Sequence, residues 1–139
     1  MRMSVTVLIV DDEVKVRSYL SRLLLKRGFT VQVAAEGKAA LEQVVAYDVD
    51  VVLLDVLMPG LSGLDVLPEI KRLKPDTEVI MLTGNASGRD GVEGLRRGAF
   101  DYLLKPVDMP QLLQRIHAAM DRRLVRQKGI SALDIPELR

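Results

Sequence analysis

Residues 50–73 read DVVLLDVLMPGLSGLDVLPEIKRL. Asp50 to Leu54 is short, β-branched and almost continuously apolar, the pattern of a strand covered on both faces. Asp55 stands at its end, and Pro59-Gly60 punctuates the loop that follows. Ser62 is placed as an N-cap for a helix whose apolar face carries Val66, Leu67, Ile70 and Leu73. Pro68 falls inside that helix, where it removes one backbone donor and bends the early turns.

The same strand–helix alternation extends in both directions. Upstream, Val5–Val10 is a second buried run, ended by Asp11 and Asp12. Val16, Leu20, Leu23 and Leu24 then form a helical stripe that Gly28 is placed to stop. Thr30–Ala34 is a weaker strand, and Ala40, Leu41, Val44 and Val45 mark a helix. Downstream, Glu78–Leu82 is a strand ending at Thr83, and Asp101–Leu104 is a strand ending at Lys105-Pro106. Between them Gly88–Arg97 is a helix weakened by Gly88, Gly91 and Gly94, each interior Gly costing about 0.5–1 kcal/mol relative to Ala. Asp108 caps a last helix with Pro110 in its first turn and Leu112, Leu113, Ile116, Met120 and Leu124 along its face. Five such units predict an α/β fold: a doubly wound, five-stranded parallel sheet with helices on both faces.

Composition narrows the function. The chain has 139 residues, 48% hydrophobic and 28% charged, which fits one globular domain of about this size. Twenty Lys and Arg against nineteen Asp and Glu leave a net charge of +1, so no field favours direct nucleic-acid binding or an anionic membrane. There is no cysteine, which excludes a disulfide scaffold and thiolate chemistry, and one histidine, His117, which excludes a multi-histidine metal site. No apolar run approaches the roughly 18 residues of a membrane helix, and residues 1–4 carry no cleavage pattern, so a cytoplasmic location is the default. The pattern thins after Leu124. Residues 1–124 are read as the domain and 125–139 as a tail or linker.

In a doubly wound sheet the ligand site lies at the C-terminal ends of the strands. Those ends carry Asp11, Asp12, Asp55, Thr83 and Lys105. Each has a plain explanation alone, such as the Asp11-Asp12 pair capping the next helix. Together they gather three carboxylates around one ammonium, an excess of negative charge that a divalent cation relieves. Oxygen ligands on an open shell suit Mg²⁺. A hydroxyl and a lysine are the further groups that a transferring phosphoryl group needs, and a carboxylate can be its acceptor.

Four stretches carry a resemblance: VLIVDDE (Val7–Glu13), VVLLDVLMPGLSGLDVL (Val51–Leu67), VIMLTG (Val79–Gly84) and GAFDYLLKPVD (Gly98–Asp108). In this order they resemble the receiver domain of bacterial two-component response regulators, over about Val5–Leu124. The resemblance implies the chemotaxis-regulator fold, with strand order 2-1-3-4-5. It implies Asp55 as phosphoacceptor from a sensor histidine kinase, with Mg²⁺ held by Asp12, Asp55 and the Leu57 carbonyl and, largely through water, by Asp11. It further implies Thr83 and Lys105 as partners of the phosphoryl oxygens, Lys105 pairing with Asp55 beforehand, and a cis Lys105–Pro106 peptide. Tyr102 matches the family's switch aromatic, which swings inward as Thr83 moves. The face made by helix four, strand five and helix five would then control a downstream protein, a linked output domain or a homodimer.

Some residues stand outside that pattern. The glycine-rich fourth helix is expected to be short or mobile, and Leu57 and Asn85 to tune phosphoryl lifetime. His117 is expected on helix five in a structural role, and Pro68 has no functional reading. A phosphohydrolase of the haloacid-dehalogenase type is disfavoured because Leu57 stands where its second acid belongs. A flavodoxin-like cofactor binder is disfavoured because no phosphate-cradling loop or flavin-stacking aromatic is evident.

Overall fold

The computed structural model describes residues 4–85 and 87–128, with side chains to Arg126. In chain order the elements are β1 (Thr6–Val10), α1 (Val14–Lys26), β2 (Thr30–Ala34), α2 (Gly37–Ala46), β3 (Val51–Asp55), α3 (Gly63–Leu73), β4 (Glu78–Thr83), α4 (Arg89–Arg96), β5 (Asp101–Leu104) and α5 (Met109–Lys128). The strands form one parallel sheet in the order β2-β1-β3-β4-β5.

The two-residue period of the strands sorts their side chains into two cores. Val7, Ile9, Val51, Leu53, Ile80 and Leu82 face Leu20 and Leu24 of α1 and Leu112, Ile116 and Met120 of α5. Leu8, Val10, Val52, Leu54, Val79 and Met81 face the other way, onto Ala40 and Val44 of α2 and Val66, Leu67 and Ile70 of α3. The central strands β1, β3 and β4 are thus covered on both faces, as their continuous apolar runs require. Each large apolar side chain so buried stabilises the fold by about 1.5–3 kcal/mol.

Local signals end the helices. Gly28 takes a φ of +93°, with its amide donating to Leu25 and that of Phe29 to Leu24, the paired bonds of a left-handed helix stop. Gly98 closes α4 in the same way, through its own amide to Leu95 and that of Ala99 to Gly94. Asp108 caps α5 by accepting from the Gln111 amide. Ser62 occupies the N-cap of α3, but its hydroxyl bonds the Asp65 carboxylate rather than a backbone amide. α3 is one helix through Pro68. α5 continues four residues past Leu124, so the boundary drawn there from the sequence falls inside a helix.

At the N-terminal end of the sheet, α5 is tied down by charge. The Arg123 guanidinium donates to Asp50 at 3.0 Å, to Asp48 at 3.3 Å and to the Asp76 carbonyl at 2.8 Å. Asp50 also accepts from the Thr6 amide. Asp50 and Arg123 are both buried, so each depends on the other for solvation. Glu78, also buried, faces Lys71, Arg122 and Arg126 at 3.2–3.6 Å. Replacing Arg123 by Met removes the counter-ion of a buried carboxylate, and urea denaturation is expected to show a loss of about 3 kcal/mol. Arg72→Ala, which removes the exposed pair with Glu69, is expected to cost less than about 0.5 kcal/mol in the same assay.

Candidate functional site

Parallel packing brings the ends of β1, β3, β4 and β5 to one rim, and with them Asp11, Asp12, Asp55, Thr83 and Lys105. Carboxylate oxygens of Asp11, Asp12 and Asp55 lie within 4.8 Å of one another. Asp11 and Asp55 are buried and Asp12 is exposed beside them. Such a trio, open on one side, is the donor set a hard divalent cation takes while keeping some of its waters.

The Lys105 ammonium bridges the two buried carboxylates, 2.7 Å from Asp11 and 3.0 Å from Asp55. The bond to Asp55 is the pairing that the resemblance implies, and the shorter bond to Asp11 has no sequence signal. Burial works against the ammonium, but bonds to Asp11 and Asp55 outweigh it and raise its pKa. Asp55 moves the other way from an ordinary salt-bridged acid: its pKa is raised from 3.8 to about 6. Burial is the main cause; the hydrogen bond and charge of Lys105 oppose it and outweigh the repulsion from Asp11 and Asp12, but not the burial. The folded state therefore holds this proton more tightly than the unfolded chain. Its contribution to stability declines as pH rises from about 4 to about 6. At neutral pH the site is an anion held in place by the fold at some cost.

Asp11 is fixed by every polar atom it has. Its amide donates to Ala34, one carboxylate oxygen accepts from the Glu13 amide, and the other from Lys105. Its carbonyl accepts from the Arg17 guanidinium at 2.7 Å. Sequence reading missed Arg17, because a side chain aimed at a backbone carbonyl leaves no pairing pattern. Gly63 is a second omission. A Cβ there would collide with the Asp55 carbonyl, so only glycine lets α3 start this close to the end of β3. The Gly63 amide donates to the Val56 carbonyl at 2.8 Å, fixing the loop after Asp55.

Thr83 is buried at the end of β4, where its hydroxyl accepts from the Asn85 amide at 3.0 Å. Its carbonyl accepts from the Lys105 amide, which ties the two strand ends together. The Lys105–Pro106 peptide is cis. The Leu57 side chain is exposed over the loop, and His117 lies half-buried on α5. Beside Lys105, a largely apolar hollow of about 530 Å³ opens between α1 and the loop from β5 to α5, lined by Val16, Tyr19, Leu20, Pro106 and Val107.

Tyr102 accounts for the poorest feature of α4. Its half-buried ring lies directly on Gly91, where a Cβ would overlap the ring, and its hydroxyl lies beside Gly88. Gly94 rests on Met81, 2.9 Å from where a Cβ would stand. The glycines that weaken the helix thus let it approach β4 and β5, and α4 is only eight residues long.

The chain matches the response regulator receiver domain over residues 7–117. It belongs to that family. It is 39% identical over 118 residues to the transcriptional regulatory protein TcrA of Mycobacterium tuberculosis (strain ATCC 25618 / H37Rv), a match that covers 85% of this chain and 47% of TcrA. The chain therefore spans about half the length of the curated relatives it matches. Among solved structures, a receiver domain from Clostridium thermocellum superposes with a TM-score of 0.84 at 34% identity, covering 88% of this chain and 99% of that one. The response regulator TrrA of Thermotoga maritima, solved with Mg²⁺ and BeF, superposes with a TM-score of 0.75 at 31% identity, covering 83% and 98%. The receiver family is thus shown by sequence and fold together, and the chain is a signalling domain of two-component systems.

The packing of Tyr102 on Gly91 predicts an inverted glycine effect. Gly→Ala inside an ordinary exposed helix stabilises by about 0.5–1 kcal/mol. Gly91→Ala is expected to destabilise this receiver by about 1–3 kcal/mol by thermal denaturation, because the new methyl meets the ring. In a Tyr102→Ala background the same change is expected to stabilise. Equal effects in the two backgrounds would show that the ring is not what requires the glycine.

Proposed function

We propose that this receiver accepts a phosphoryl group on Asp55 from the phosphohistidine of a sensor kinase. The observation that carries the reading is the buried Asp55 carboxylate, bridged by Lys105 and set within 4.8 Å of two further carboxylates. An Asp55 oxygen attacks phosphorus, the P–N bond to the donor imidazole breaks, and its electron pair stays on that nitrogen. Asp11, Asp12, Asp55 and the Leu57 carbonyl would hold Mg²⁺, which when bound neutralises charge on the phosphoryl oxygens. The acidic cluster of this chain fits that ion, and TrrA, a relative of the same fold, was solved with Mg²⁺ and BeF.

The remaining residues have separable tasks. Lys105 leaves its carboxylate partners to pair with one phosphoryl oxygen, and the Thr83 hydroxyl leaves the Asn85 amide to bond another. The group brings about −1.5 to −2 of charge and three acceptor oxygens, enough to draw both inward. Movement of Thr83 at the end of β4 frees space that Tyr102 takes, and α4 rests on Tyr102 through Gly91. Leu57 and Asn85 flank the acceptor and set how long the acyl phosphate lasts.

Partners follow from the surfaces. The apolar hollow beside Lys105 supports docking of the donor protein next to the acceptor. Val92, Leu95 and Leu104 leave apolar side chains exposed on α4 and β5, which supports that face, with α5, as the output surface or the contact of a homodimer. Residues 1–124 form the receiver unit in this reading and 125–139 the connection onward, of which 129–139 lie outside the described residues. The transcriptional relatives, about twice as long as this match, support a linked output domain for DNA control. The receiver itself, at net charge +1, has no field for nucleic acid. No helix among the described residues is long and apolar enough to cross a membrane, which fits a cytoplasmic regulator.

Intact-protein mass spectrometry after incubation with acetyl phosphate tests the reading. One phosphoryl adduct is expected, dependent on Mg²⁺, labile to hydroxylamine and absent in Asp55→Asn. An adduct that survives in Asp55→Asn, or none with either acetyl phosphate or a phosphorylated kinase, would overturn it.

A further inference from the structure

Pro68 and α4 present two separate oddities: a proline inside a helix, and a short glycine-rich helix beside it. One contact joins them. Pro68 has no amide hydrogen, so the helical bond to the carbonyl four residues back, that of Leu64, cannot form. The Leu64 carbonyl instead accepts from the Arg97 guanidinium at 2.9 Å. Arg97 is the C-cap of α4, so this bond runs between helices and not within one.

The same guanidinium nitrogen, Nη1, also donates to the Asp65 carboxylate at 3.2 Å, while Nε donates to Glu93 at 2.7 Å. Glu93 also accepts from Arg96 at 2.9 Å. Arg97 thus uses the planar fork of its donors to join the first turn of α3 to the last turn of α4. The surrounding backbone reinforces that end, through the left-handed stop at Gly98 and the seating of Gly94 on Met81.

The opposite end of α4 is held more lightly by the described residues. Its N-cap is Gly88, which takes a φ of +78° and offers no side-chain acceptor. A 3.3 Å contact from the Arg89 amide to the Ser87 hydroxyl is the side-chain support the first turn has among the described residues. Gly91 touches Tyr102 across a ring face, a contact that permits sliding.

We propose that Pro68, the Leu64 carbonyl and Arg97 form a clasp that anchors the C-terminal end of α4 to α3, so that α4 opens from its N-terminal end about that point. Pro68 is the element that makes the clasp, because it leaves a helical carbonyl free for a neighbouring side chain. The device belongs to the unphosphorylated chain and stands whether or not Asp55 is modified.

Amide exchange followed by NMR on the full chain tests it, using Pro68→Ala, Arg97→Ala and the double variant. In the parent protein the Val92 amide, the first of α4 with a backbone acceptor (the Gly88 carbonyl), is expected to exchange at least tenfold faster than those of Gly98 and Ala99. Arg97→Ala is expected to speed exchange at Gly98 and Ala99 about tenfold when Pro68 is present. In the Pro68→Ala background the restored amide satisfies the Leu64 carbonyl, and Arg97→Ala is expected to have an effect at least threefold smaller. Arg97→Lys, which keeps the charge but loses the fork, is expected to behave as Arg97→Ala. Equal effects of Arg97→Ala in the two backgrounds would overturn the proposal. So would a parent-like exchange rate in Arg97→Lys, or uniform exchange along α4.

Discussion

Everything at the functional end of this receiver depends on keeping the Asp55 carboxylate buried among its own kind. Asp11 and Asp12 lie against it, and Lys105 opposes them. Left to itself such a cluster would take up a proton, and burial pushes Asp55 to about 6. The fold holds Asp11, Asp55 and Lys105 in place through contacts to their backbone. Arg17 and the β2 carbonyl of Ala34 hold Asp11, Gly63 admits α3 behind Asp55, and Thr83 and Lys105 share a strand-end bond. A carboxylate made costly by burial, with two more beside it, is a donor set that suits a divalent cation.

That site is coupled outward through few contacts. β4 and β5 carry Thr83 and Tyr102 within one short stretch of sheet, Lys105 follows at its edge, and α4 sits on that stretch through two glycines. A helix resting on glycine contacts can be displaced without losing large apolar burial, unlike α1 or α5, whose leucines are locked in the core. At the far end of the sheet, Arg123, Asp50 and Glu78 tie α5 to the strands, so the rigid and the adjustable parts lie at opposite ends.

The strands were readable because burial on both faces forces continuous β-branched runs, and strand ends announced themselves with polar residues; their order was what the family resemblance implied. Gly28 and Asp108 likewise act through local backbone rules. The convergence of Asp11, Asp12, Asp55, Thr83 and Lys105 followed from topology once the sheet was inferred. Other features were closed to sequence reading for one physical reason. Arg17, Arg97 and Arg123 act partly on carbonyls or on acids up to 75 residues away, and a carbonyl acceptor has no residue type. Gly91 looked like a weak helix position because the ring that requires it, Tyr102, lies on another element. Pro68 had no reading until Arg97 was seen on the carbonyl it vacates.

The tension at Asp55 is open to measurement by carbon-detected NMR of its side-chain carboxyl across pH, with and without Mg²⁺. Without the cation the carboxyl should titrate near 6, well above an ordinary aspartate, and Mg²⁺ should displace that midpoint downward by favouring the anion. A midpoint near 4 that Mg²⁺ leaves unmoved would contradict this, because Asp55 would then be neither made costly by burial nor part of a cation site.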